Sequence, residues 1–128
     1  MAHRSRLAGF IIDCQTDDLD TAATFWSQAL GLHVADPDSG GIGRYAEFGD
    51  APGGLHVEVQ KVEHPSRVHL DIEADDVNAE ATRLEALGAK KIAFVRERWW
   101  VMEAPTGQRF CVVPMRDDSR REPPNVWP

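Results

Sequence analysis

The pattern of hydrophobic and polar positions repeats once along the chain. A short apolar strand pattern, an Asp-Asp pair, an amphipathic helix pattern and a Leu-Gly stop occur over 10–31 and again over 68–88. Asp18 and Asp76 hold equivalent places in the two copies. Two such units in 128 residues predict one domain built from two similar halves, with a cavity at the seam between them.

Each helix pattern has a single apolar stripe. Asp17 or Asp18 is the expected N-cap of the first helix, and a glycine directly follows each helix, where a left-handed residue ends it. The second helix is expected to begin at Asp75 or Asp76. Apolar side chains recur at helical spacing at Leu19, Ala22, Ala23, Trp26, Ala29 and Leu30, and again at Val77, Ala81, Leu84 and Leu87. Each helix should therefore bury one face.

Six further strand patterns follow the helices, separated by segments rich in Gly, Pro and Asp. They cover 32–35, 44–48 and 55–62 after the first helix, and 91–96, 99–103 and 109–115 after the second. The segment 37–41 is expected to be a turn. The order βαβββ therefore occurs twice, which predicts an α+β fold.

This order is expected to form one domain over 1–128, because the length suffices for a single hydrophobic core. Module one is predicted at about 7–62, module two at about 67–115, and a C-terminal extension at 116–128. Trp127 is expected to dock the extension on the body of the protein or on a partner. The first four residues are expected to be a flexible terminus without chemistry.

Strand alternation places polar side chains on the face opposite the helices. In the strand over 68–72, Val68, Leu70 and Ile72 are expected to lie against a helix, so the residues between them point the other way. The same alternation applies to the first, fourth and last strands. A curved sheet would gather the polar side chains on one concave surface: Asp13, His56, Glu58, Gln60, His69, Asp71, Arg109 and Cys111.

Composition and charge exclude several classes of partner. With 14 Lys and Arg against 21 Asp and Glu, the net charge is -7, so neither nucleic acid nor anionic membrane is expected as a partner. The longest apolar stretch near the N-terminus, 7–12, is too short for a signal peptide or a membrane span, which predicts a soluble cytoplasmic protein. Cys14 and Cys111 fit free thiols better than a disulfide.

Several strings in this order resemble the vicinal oxygen chelate superfamily, which includes glyoxalase I, extradiol dioxygenases and the bleomycin and fosfomycin resistance proteins. They match its glyoxalase-like subgroup best. The strings are Ile12-Asp13-Cys14, Phe25-Trp26, Val68-His69-Leu70-Asp71-Ile72, Trp100-Val101 and Phe110-Cys111-Val112-Val113. The resemblance implies a curved mixed sheet with helices on its outer face, a small-molecule ligand and a homodimer.

Metal-dependent members of that superfamily place ligands on the first, fourth, fifth and last strands. Carried over by spacing, these positions fall on Ile11, on Glu58 or Gln60, on His69 and on Cys111. Ile11 cannot coordinate a metal, and Cys111 stands where the resemblance implies a glutamate. Asp13 and Cys111 could substitute beside Glu58 and His69, but such a mixed set of hard and soft ligands is unusual. No cofactor is therefore expected, and a divalent metal is the alternative.

His69 and Glu58 are the candidate catalytic residues and also the candidate metal ligands. An imidazole beside a carboxylate can act as an acid or base near neutral pH, although a structural pairing of His69 with Glu58 or Asp71 would give the same pattern. Buried Asp13 would need a partner, such as Arg109, Arg44 or a polar ligand.

Aromatic and amide side chains complete the candidate site. Trp99 and Trp100 alternate across their strand, and Trp100 is assigned to the ligand. The predicted ligand-binding residues are Asp13, His56, Gln60, Asp71, Trp100, Arg109 and Cys111.

Three functions fit these observations. The favoured one is a metal-free protein that binds a small organic molecule in a concave pocket. The alternative is a divalent-metal-dependent lyase, isomerase or dioxygenase of the glyoxalase type, with metal-independent acid-base catalysis by His69 and Glu58 as a variant. An interaction domain is the third, and the charged strand face argues against it.

Overall fold

A computed structural model describes residues 2–116 and 123–128. The chain divides into two compact units. The first unit is Gly9–Val68, and the second unit combines Met1–Ala8 with His69–Pro128. Strand β1 (His3–Gln15) contributes its beginning to the second unit and its remainder to the first.

The first unit is a mixed sheet with one helix packed on it. Its elements after β1 are α1 (Leu19–Leu30), β2 (Val34–Ser39), β3 (Tyr45–Phe48), a short 3-10 turn (Pro52–Gly54) and β4 (His56–Val62). The strand order is β2-β3-β4-β1, in which β4 runs parallel to β1 and the other pairs are antiparallel. Leu19 and Ala23 of α1 pack against a core that includes Ile12, Val57 and Val59.

The second unit repeats this plan. Its elements are β5 (Arg67–Ala74), α2 (Val77–Ala86), β6 (Lys90–Val95), β7 (Trp99–Glu103), β8 (Arg109–Pro114) and β9 (Asn125–Trp127). The strand order is β1-β5-β8-β7-β6, with β5 parallel to β8 and with β9 antiparallel to the start of β1. Ala81 of α2 packs on Ala74, Met102 and Val112. The predicted α+β fold is confirmed.

Local capping explains why the two helices begin where they do. The Asp18 carboxylate accepts hydrogen bonds from the backbone N–H groups of Asp20 and Thr21, and Asp76 accepts one from Ala79. Of the two candidates for each helix, the second is therefore the N-cap: Asp18 for α1 and Asp76 for α2. Gly31 ends α1 in the left-handed conformation, with φ of 70°.

The N-terminus differs from expectation. His3 begins β1 and is buried, and its Nε2 lies 2.8 Å from Glu80 Oε1 on α2. His3 and Arg4 are therefore part of the fold, and the expectation of a flexible terminus is wrong for them.

The end of the chain forms a strand that the sequence does not predict. The expected docking of Trp127 is confirmed, since its indole Nε1 donates to Ser5 Oγ at 2.8 Å and the Arg83 guanidinium lies 3.9 Å from its ring centroid. Residues 117–122 of the predicted extension lie outside the described residues.

Burial also departs from the predicted stripes. Leu30 and Leu87 at the helix ends are exposed, and so are Val68 and Leu70, which were expected to lie against a helix. In β5 the fully buried apolar residue is Ala74, near the beginning of α2. Only the carboxyl end of β5 is therefore covered on this face.

Strand β2 extends through the segment predicted as a turn. It includes Pro37, and its pairing with β3 shifts register twice between Val34 and Ser39. A proline is tolerated there because β2 is the last strand of its sheet and needs no donor on its outer side.

Candidate functional site

Potential metal-ligating side chains gather in two clusters within the described residues, one in each unit. The first cluster is Glu47, His56 and Glu58, and the second cluster is His69, Asp71 and Cys111. In each cluster, one ligand-type atom per residue lies within 4.8 Å of the other two.

Antiparallel pairing of β3 with β4 builds the first cluster. Glu47 lies directly opposite Glu58, and His56 precedes Glu58 by two positions and so shares its face. His56 Nδ1 lies 3.5 Å from Glu47 Oε1, and His56 Nε2 lies 3.2 Å from Glu58 Oε2. The imidazole therefore has a carboxylate beside each of its ring nitrogens.

On its other side, Glu58 faces no metal donor from β1. In the parallel register of β1 and β4, Ile11 pairs with Glu58 and Asp13 pairs with Gln60. Ile11 is only 2% exposed, so an inert side chain fills this place. Gln60 donates from Nε2 to the hydroxyl of Tyr45 at 3.2 Å.

Asp13 lies in the first unit beside Arg67 and His64. Its Oδ2 is 3.5 Å from Arg67 Nε and 4.0 Å from His64 Nε2. The ion pair with Arg67 replaces the expected pairing with Arg109 or Arg44. A buried carboxylate needs such a partner, and Asp13 is 2% exposed.

Parallel pairing of β5 with β8 builds the second cluster. Asp71 lies opposite Cys111, and His69 shares the face of Asp71 two positions earlier. His69 Nε2 lies 3.5 Å from Asp71 Oδ1. Cys111 is half-buried and, like Cys14, forms no disulfide.

Two further predicted residues of the second unit, Arg109 and Trp100, contact side chains outside that cluster. Arg109 Nε is 3.4 Å from Glu103 Oε1 on the adjacent strand. Trp100 donates from Nε1 to Asn78 Oδ1 of α2 at 2.9 Å and stacks on Phe94 with 4.6 Å between ring centroids. Trp100 therefore lies on the α2 side of β7, which differs from its predicted place on the ligand side.

A cleft of about 500 Å³ opens in the first unit, beyond the predicted residues. Acidic and basic residues line it, together with two residues of the segment before β3. The lining residues are Gln15, Thr16, Asp17, Ile42, Gly43, Arg44, Lys61, Val62 and Glu63.

A sequence profile decides the family. The profile described as "Glyoxalase-like domain" matches residues 9–113, which is most of the chain. The chain belongs to the glyoxalase-like domain family. The superfamily resemblance is thereby confirmed, whereas no sequence among the curated proteins matches the chain.

Several solved structures are similar to this chain in fold. Methylmalonyl-CoA epimerase from Mycobacterium tuberculosis is 17% identical, with a TM-score of 0.63 over 86% of this chain and 88% of that one. The Mn(II)-bound glyoxalase from Novosphingobium aromaticivorans is 19% identical, with a TM-score of 0.58 over 94% of this chain and 44% of that one. A hypothetical protein from Bacillus halodurans C-125 is 12% identical, with a TM-score of 0.64 over 90% and 97%.

The metal positions that the superfamily resemblance implies are only partly filled in this glyoxalase-like chain. In the first unit, Glu58 supplies a carboxylate, but its neighbour Ile11 supplies nothing. In the second unit, His69 and Cys111 both carry donors. The four-position set for a hard cation therefore does not fit these residues.

Sequence reasoning missed Glu47 and the cleft. Glu47 had a usable signal, because Ala46 and Phe48 beside it are core residues and strand alternation then places Glu47 on the polar face. No sequence signal indicated the cleft, since its wall at Ile42 and Gly43 depends on the conformation of a loop.

Proposed function

We propose that this glyoxalase-like protein binds a small organic molecule through polar side chains on the strand faces opposite its helices, without the four-ligand metal site of its superfamily. The observation that carries this proposal is buried Ile11 beside Glu58 in the β1–β4 register. The hydrocarbon side chain of Ile11 cannot act as the metal ligand that the superfamily resemblance implies here. The neighbouring hydrogen-bond acceptors remain in place.

The first cluster suits an organic ligand with hydrogen-bond donors. Two carboxylates and one imidazole lie within contact distance of one another, and the side chains of His56 and Glu58 are each 13% exposed. Partly buried carboxylates bind most strongly to groups that donate charged or multiple hydrogen bonds. An amine or polyhydroxyl compound therefore matches this cluster better than a carboxylic acid does.

The first unit also has a cleft, which shares no residue with the first cluster. The cleft of about 500 Å³ falls within the usual size of small-molecule sites, about 300–1,000 Å³. Arg44 and Lys61 on its wall offer positive charge, and Asp17 and Glu63 offer negative charge. A ligand carrying both kinds of polar group would find partners here.

Structures of the same fold give general support for organic ligands. One is a methylmalonyl-CoA epimerase in complex with methylmalonyl-CoA and NH₄⁺, at 17% identity. The proposal also includes a homodimer, which the family resemblance implies, and a cytoplasmic location, which the sequence predicts. Sedimentation equilibrium of the untagged protein tests the dimer, and a monomer at micromolar concentration would contradict that part.

The alternative function is a divalent-metal-dependent lyase, isomerase or dioxygenase, with His69 and Glu58 as the catalytic residues. It is favoured by the two clusters of potential metal ligands and by the fold shared with a Mn(II)-bound glyoxalase. Among the described residues, no helix is long and apolar enough to cross a membrane.

Thermal shift in the presence of EDTA separates the two functions. Untagged protein is screened against small amines, amino alcohols, sugars and coenzyme A esters, and at least one compound is expected to raise the melting temperature without metal. The shift should be lost in Glu58→Gln and kept in Glu85→Gln, a matched change at an exposed position of α2. A shift produced only when Mg²⁺ or Mn²⁺ is restored would overturn the proposal and support the metal-dependent enzyme.

A further inference from the structure

We propose that the second cluster binds one transition-metal ion of the zinc type through His69, Asp71 and Cys111. This set lies wholly within the second unit and includes Asp71, which is not one of the four positions implied by the superfamily. The site does not depend on the proposed organic ligand and goes beyond that function.

The spacing of the donor atoms matches tetrahedral coordination. Zinc bonds of about 2.0–2.2 Å to nitrogen and oxygen and about 2.3 Å to sulfur separate neighbouring ligands by about 3.3–3.6 Å. His69 Nε2 and Asp71 Oδ1 are 3.5 Å apart, which suits two ligands of one ion and is too long for a good hydrogen bond. The thiol of Cys111 completes a triangle whose sides are all within 4.8 Å.

A second observation, the burial of Asp71, also favours a cation at this place. Asp71 is 8% exposed, and its Oδ1 is buried without accepting a hydrogen bond from any described residue. A buried carboxylate oxygen in this condition is unfavourable unless a cation or donor occupies the space beside it. The same Oδ1 atom faces His69 Nε2. An ion between them would satisfy the carboxylate.

The donor types select the metal. A thiolate and an imidazole favour zinc, cobalt or similar ions, whereas Mg²⁺ and Mn²⁺ prefer sets made of oxygen. Binding forms a bond from the metal to Cys111 Sγ and releases the thiol proton to solvent, so no oxidant is required. Three protein ligands leave a fourth position for water or a small anion.

The strands hold these ligands in a fixed arrangement. His69 and Asp71 lie on β5, and Cys111 lies on β8 in direct register with Asp71. Sites on paired strands are more precise than sites on loops. The first cluster has no thiol, so it provides an internal comparison for the same experiment.

Cobalt binding tests this site directly. Untagged protein is treated with EDTA, dialysed and titrated with Co²⁺, followed by Zn²⁺. We expect a thiolate-to-cobalt charge-transfer band and strong visible bands of tetrahedral Co²⁺, saturating at one ion per chain and removed by Zn²⁺. Cys111→Ser should abolish the charge-transfer band, and Asp71→Asn should weaken Zn²⁺ binding by about tenfold or more, as losses around metal ligands do.

Matched control variants test whether the Co²⁺ spectrum arises from the second cluster. Cys14→Ser and Glu47→Gln should leave both the spectrum and the affinity unchanged. A weak octahedral spectrum, or a charge-transfer band that persists in Cys111→Ser, would overturn the proposal. Cys111→Ser is nearly isosteric and keeps the test decisive if Asp71→Asn does not fold. Since organic-ligand binding is measured in EDTA, failure of either proposal leaves the other intact.

Discussion

Gly9 and His56 lie face to face in the β1–β4 pair, so close that a β-carbon on Gly9 would stand 1.8 Å from the His56 carbonyl oxygen. Only glycine permits this approach, because the obstructing atom belongs to backbone and cannot rotate away. The contact sets the position of His56, and through it the first cluster.

Gly9→Ala should therefore destabilise the protein by about 3 kcal/mol, at the upper end of typical overpacking penalties. Urea unfolding measures the loss. Gly107→Ala is the comparison, since an added β-carbon there meets nothing within 4 Å and costs only the strain of a positive φ, about 1–2 kcal/mol. Equal losses in the two variants would show that the contact with His56 is not the cause.

Glu80 should make the free energy of unfolding depend on pH in the acidic range. Burial of Glu80 by itself raises its pKa, but hydrogen bonds from Arg83, His3 and Ser5 outweigh burial and lower the pKa to about 2 from an ordinary 4.5. A depressed folded pKa gives stability that is present above pH 4.5 and lost as the pH falls toward 2. The contribution at neutral pH is about 3 kcal/mol.

Glu80→Gln should flatten this dependence. Between pH 4.5 and 2.5, we expect the free energy of unfolding of Glu80→Gln to fall much less than that of the parent protein. Urea titration at each pH measures both. Glu85→Gln, on the same helix but exposed, should keep the parental slope. A parental slope in Glu80→Gln would rule out this carboxylate as the source.

Trp127 should stabilise the second unit through two contacts. Trp127→Ala removes the hydrogen bond to Ser5 and the interaction with Arg83, which together are worth about 2 kcal/mol. Val126→Ala, at an exposed neighbour, should cost less than about 0.5 kcal/mol. A double-mutant cycle with Arg83→Gln isolates the ring contact, and zero coupling would contradict it.

Cys14 should react slowly with alkylating agents. Burial raises the pKa of its thiol, and the nearby Asp13 charge raises it further. In a Cys111→Ser background, iodoacetamide labelling at pH 8 should be slower than in urea and should accelerate as the pH rises. Adding Asp13→Asn should speed labelling, because a negative charge no longer opposes thiolate formation. An unchanged rate in a folded Asp13→Asn variant would remove Asp13 as a cause.

Local signals allowed much of the fold to be predicted. The helices begin at Asp18 and Asp76 because their carboxylates cap nearby backbone N–H groups, and such caps are visible in sequence. Strand β9 was invisible because three residues without periodicity become a strand only by pairing with β1. The end of a chain gives no signal of that pairing.

Which side chains of the candidate site share a strand face could be predicted from the sequence, but which residues they pair with could not. Alternation placed Glu58 and His56 together and Asp71 beside His69, because side chains on one strand alternate regardless of the rest of the fold. Arg67 as the partner of Asp13 could not be read in the same way, since it depends on where a distant backbone segment returns.

Strand β9 also changes what the beginning of β1 can do. Asn125–Trp127 pairs with His3–Ser5, whereas β4 pairs with β1 only from Gly9 onward. Without β9, a short row of backbone donors and acceptors would stand open as a template for strands of other molecules. Asn125–Trp127 therefore covers this length of the edge of β1 and blocks intermolecular β-sheet extension there.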